Sequence, residues 1–71
     1  MFTATFNQKV STTTGYEMIG ATSTGSVVNN FYNRAGLLLE QDVYLSPTLL
    51  LKYFPNSDGT YGEITRLLLM R

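Results

Sequence analysis

The chain has 71 residues, equal numbers of acidic and basic side chains, no cysteine and no histidine. That length fits one domain and excludes a large core. The missing residue types remove disulfides and the usual zinc, copper and haem ligands, which leaves oligomerisation as the staple open to so small a fold. Lys9, Arg34, Lys52, Arg66 and Arg71 are scattered and balanced by five acids, so no basic stripe points to nucleic acid or an anionic membrane. No apolar run approaches the roughly 18 residues of a membrane span. "MFTATFNQKV" alternates rather than forming a signal-peptide block. The expectation is a soluble protein.

In chain order, "FTATFNQKV" reads as a half-buried strand, with Phe2, Ala4, Phe6 and Val10 on one side and Thr3, Thr5, Asn7 and Lys9 on the other. "STTTG" interrupts it. "YEMIGAT" follows, with Tyr16, Met18 and Gly20 opposed to Glu17, Ile19 and Ala21. After "STGS", the β-branched and aromatic "VVNNFYN" gives a third strand, and "NRAG" a turn. "LLLEQDVYL" alternates Leu37, Leu39, Gln41, Val43 and Leu45 against Leu38, Glu40, Asp42 and Tyr44. "SP" breaks the pattern, and "LLLKYF", "PNSDG" and "TYGEITRLLLM" supply a last strand, turn and strand. The spacing predicts an all-β fold, a small antiparallel meander or barrel of about five to six strands. The alternative is α+β, with N-terminal hairpins and a C-terminal helix. Thr60 and Glu63 fit a capping box, and Ile64, Leu67, Leu68 and Arg71 fall at helical spacing.

Three leucine triplets, at Leu37, Leu49 and Leu67, carry a consequence. Adjacent strand residues point to opposite faces, so each triplet loads both faces of a sheet. One face can close the chain's own core and the other needs a cover. The candidate interface is Leu38, Leu50, Ile64, Leu68 and Met70.

Catalytic chemistry is sparse. Without His or Cys, and with serines only in turn-like settings, no nucleophile has a base beside it. Glu40 and Asp42 share a strand face, but a solvated or ion-paired carboxylate pair, bridged to Arg34, Lys52 or Arg66, is the plainer expectation. "PNSDGT" is oxygen-rich but lacks the acids of a calcium loop and suits a hairpin turn. Asn29, Asn30, Tyr32, Asn33 and Arg34 form a candidate polar binding surface of amides, one aromatic and one cation. The chain is therefore expected to be non-enzymatic, with no cofactor, and to act as a structural or assembly subunit of the kind that builds a virion or phage particle or another shell. The alternative is a small oligomeric binding module or protein inhibitor, docking on a larger protein or taking a small polar ligand.

Overall fold

A computed structural model describes residues 1–67, with side chains placed through Ile64. The chain forms six strands: β1 (Thr5–Ser11), β2 (Gly15–Ala21), β3 (Val27–Asn33), β4 (Leu38–Ser46), β5 (Leu49–Pro55) and β6 (Tyr61–Leu67). They make one open antiparallel sheet in the order β1-β2-β3-β4-β5-β6. The meander expected from strand spacing is the observed fold. The last segment continues as a strand to Leu67 rather than starting a helix, because Thr60 and Glu63 are spent on a hairpin, where Asn56 N–H donates to Thr60 O at 2.7 Å.

One turn design serves three of the five hairpins. At Thr22–Ser26, Asn33–Leu37 and Asn56–Thr60, the first residue's N–H donates to the fifth residue's carbonyl. The fourth residue is Gly25, Gly36 or Gly59, each with φ near +90° (91°, 87° and 87°). A type I turn followed by a left-handed glycine is the standard three-residue connection for strands with native twist. Side chains reinforce it. Asn33 Oδ1 accepts from Ala35 N–H at 2.9 Å and Leu37 N–H at 3.0 Å, and Asp58 Oδ1 accepts from Thr60 N–H and Oγ1–H. Asp58 Oδ1 and Thr60 Oγ1, two of the side-chain oxygens of "PNSDGT", are thus committed within the turn.

The core lies on one face. A cross-strand row runs Phe6, Gly20, Val28, Val43, Leu51, with Tyr53 one row along. Val28, Val43 and Tyr53 are buried, and Phe2, Ala4, Phe6 and Leu51 pack against them. Here the sequence expectation needs correction. Phe2 and Ala4 are not part of the first strand, which begins at Thr5. The segment ahead of it lies on the sheet instead. Phe2 N–H donates to Gln41 Oε1 at 2.9 Å, Gln41 Nε2 donates back to Phe2 O at 3.2 Å, and the Phe2 and Tyr53 rings lie 6.1 Å apart. Gln41 Nε2 also donates to Asn30 Oδ1, and Asn30 Nδ2 to Tyr32 Oη. The buried amides are satisfied by one another and by the N-terminal backbone, which such a position demands.

Three register shifts, each consuming one extra residue, divide the strands. They fall at Asn7 in β1 and at Leu39 and Leu45 in β4. A bulge reverses the alternation downstream of it. Val10 therefore pairs with Glu17, on the face opposite Phe6, not beside it as strict period two predicts. Leu38 pairs with Tyr32, on the core face. Gly20 sits where a Cβ would overlap the backbone of Thr5 and Phe6, so β1 and β2 approach this closely only because the residue has no side chain.

Candidate functional site

The second face carries the features that the fold does not use. Register places three rows on it: Thr5–Ala21–Val27–Tyr44–Leu50–Arg66, then Gln8–Ile19–Asn29–Asp42–Lys52–Ile64, then Val10–Glu17–Phe31–Glu40. Apolar residues dominate the first row and include Ile19 and Ile64 in the second and Val10 and Phe31 in the third. Among the described residues no segment of the chain crosses this face as Phe2–Ala4 crosses the other. Val27 and Ile64 are 46% and 44% exposed, large values for β-branched side chains within a sheet.

At its centre is a charged cluster. Lys52 Nζ donates to Glu40 Oε2 at 2.7 Å and to Asp42 Oδ2 at 3.0 Å. Asn29 Nδ2 donates to Glu17 Oε2 at 2.7 Å. Strand pairing dictates the arrangement: Asp42 lies directly opposite both Asn29 and Lys52, and Glu40 opposite Phe31. Asp42 is only 5% exposed. Burial, with the Glu40 carboxylate beside it, pushes its acid up to about 6, against the pull of Lys52. Glu40 moves the other way, held below its usual value by its hydrogen bond with Asp42 and by Lys52, against the opposing effect of its own burial. Glu40 in turn holds the lysine charged and raises its value. Asn29 Oδ1 and Asp42 Oδ1 are both buried without a hydrogen-bond partner.

Beside the cluster, an open groove of about 720 Å³ runs between the ends of β2, β3 and β4, lined by Ile19, Val27, Asn29, Tyr44, Leu45 and Pro47 among others. Its walls are mainly apolar and Asn29 is shared with the charged row.

The sequence-derived sites are distributed unevenly over this geometry. Leu50 and Ile64 lie on the second face, but Leu50 is itself buried at 5% exposure and only Ile64 is open. Leu38 does not join them, because the bulge at Leu39 turns it to the core face. Leu68 and Met70 lie outside the described residues. The proposed polar surface is not one surface. Asn29 faces the charged cluster, while Asn30 and Tyr32 face the core side, where Tyr32 stacks on Tyr16 at 4.9 Å. Asn33 caps its turn, and Arg34 donates to Thr13 O at 3.1 Å. An ion pair between the carboxylates of β4 and Lys52 was legible. Glu17's place in the row was not, since it depends on the register of β2 against β3. Gln41 was missed as well. Its signal was an amide in the otherwise apolar series Leu39, Val43, Leu45.

Among the described residues no cluster of three or more acids is placed to hold a metal ion. Among the described residues no helix is long and apolar enough to cross a membrane. Comparison of the chain with protein-family models, with curated proteins and with solved structures returned no match.

Proposed function

We propose that this protein is a non-enzymatic assembly subunit that associates with further copies of itself through the apolar flanks of the second sheet face. The observation that carries this reading is the distribution of apolar side chains. Among the described residues, four hydrophobic side chains are buried, Val28, Val43, Leu50 and Tyr53, against eight large ones exposed, of which Val10, Val27 and Ile64 lie on the second face. A chain without disulfides gains the missing burial most directly from a copy of itself, and a stable contact needs about 800 Å² from each partner. Multi-subunit shells, viral ones included, are built from chains of this economy. No nucleic acid, membrane or cofactor enters this reading.

The charged cluster shapes the geometry of such a contact. A contact centred on a two-fold axis would set like clusters against each other, which costs several kcal/mol when water is excluded. Association therefore runs through the apolar flanks, around the exposed Val27 and Ile64. Ile64→Glu is expected to lower the native mass while far-ultraviolet circular dichroism stays unchanged. An unaltered mass across a wide concentration range would remove Ile64 from the interface.

The groove supports a second reading, a binding module that takes a small ligand with an apolar body and a polar head directed to Asn29. Under that reading Tyr44→Ala abolishes ligand binding without altering the native mass.

A further inference from the structure

We propose that Asp42 carries a buried proton, donated from Oδ1 to Asn29 Oδ1, and that loss of this proton leaves the two side chains acceptor to acceptor. The inference stands whether or not this face docks a second copy.

Its basis is a count of donors. Asn29 and Asp42 are direct cross-strand partners on the same face, where Cβ atoms lie about 4.5–5.5 Å apart. Each presents a buried Oδ1 with no partner. No donor reaches either oxygen: Asn29 Nδ2 turns to Glu17, and Lys52 Nζ to Glu40 and to the other oxygen of Asp42. Both oxygens are closed to bulk solvent. Two orphaned acceptors side by side would each cost desolvation without return. A hydrogen on one of them satisfies both, and of an amide and a carboxyl only the carboxyl takes a proton in this range.

Turning the Asn29 amide end for end would aim Nδ2 at Asp42 but set Oδ1 against Glu17 Oε2 across 2.7 Å, at the loss of the hydrogen bond to Glu17. Asp42 is the buried acid, and Glu17 is half-exposed. The proton belongs on Asp42, consistent with an acid raised to about 6; of the two acceptors that compete for it, Glu40 already takes a hydrogen bond from Lys52, whereas Asn29 Oδ1 has no other donor.

The groups facing Asp42 are Asn29 and, beyond it, Glu17 from β2; Glu40 on its own strand; and Lys52 from β5. On β6 the register brings neutral Ile64 beside Lys52 and Arg66 beside Leu50. With the proton in place, Glu17, Glu40 and Lys52 sum to −1; without it the cluster is −2, and Asn29 and Asp42 meet acceptor to acceptor.

Carbon-13 titration of the side-chain carboxyls in the wild-type protein tests this. Asp42 is expected to titrate about two units above an ordinary aspartate, and the Asn29 side-chain amide to follow the same midpoint. Asp42→Asn supplies a permanent donor to Asn29 and an acceptor for Lys52. It should flatten the dependence of the thermal midpoint between about pH 4 and about pH 7, and melt above wild type at the upper end. An Asp42 that titrates in the ordinary range, an Asn29 amide that ignores it, or flattening by Glu17→Gln instead of Asp42→Asn would overturn the proposal. Should Asp42→Asn fail to fold, the wild-type titration decides alone.

Discussion

Gln41 shows how much one polar side chain contributes to a core this small. It is 1% exposed, and its amide joins the N-terminal backbone to Asn30 through three hydrogen bonds. Gln41→Leu preserves volume but strands Asn30 Oδ1 and releases Phe2. We expect a loss of about 2 kcal/mol, the cost of orphaning buried polar groups, measurable by urea denaturation. Gly20→Ala is expected to cost a similar amount, about 2 kcal/mol from overpacking, since its methyl would overlap the Thr5 and Phe6 backbone. Asp42 sets a pH dependence of definite sign. Its acid is raised from 3.8 to about 6 in the folded chain, so between these values the folded state holds a proton that the unfolded state has lost. Stability therefore falls as pH rises through that window, by at most about 3 kcal/mol. Glu40, shifted downward, acts oppositely and withdraws its contribution as pH falls through its lowered folded value. The two together predict a maximum in mildly acidic solution, visible as a peak in thermal midpoint against pH.

At the scale of elements, the hairpins and the bulges play different parts. Gly25 lies in open space at φ +91°, so Gly25→Ala isolates the left-handed strain alone and should cost about 1–2 kcal/mol by the same denaturation assay. The turns were readable in the sequence because "STGS", "NRAG" and "NSDG" place glycine where a positive φ is required. Strand existence was readable from period two. The strands' faces were readable only between bulges. Asn7, Leu39 and Leu45 each insert one residue, and nothing in their chemistry announces it. Leu38 was consequently assigned to the wrong side, and Val10 was grouped with Phe6. The central run of β4 escapes this: Glu40, Asp42 and Tyr44 oppose Gln41 and Val43 as the alternation predicts, and the ion pair with Lys52 follows from them. The N-terminal clasp was hidden for another reason. Phe2 and Ala4 continue the alternation of β1, and only the pull of the core face on two apolar side chains decides that they fold over the sheet instead.

For the whole molecule, the open meander divides its faces unequally. One is closed by the chain's own first residues and a buried amide ladder. The other combines exposed Val27 and Ile64 with an ionic centre whose charge depends on Asp42. Protonation lowers like-charge repulsion between copies, so association should strengthen as pH falls through about 6. The most direct test of the account is sedimentation of the intact chain over a hundredfold range of concentration. We predict a defined oligomer or larger assembly that Ile64→Glu dissociates without loss of strand content. A 7.9 kDa monomer that persists at the highest concentration, with its apolar face in water, would contradict it.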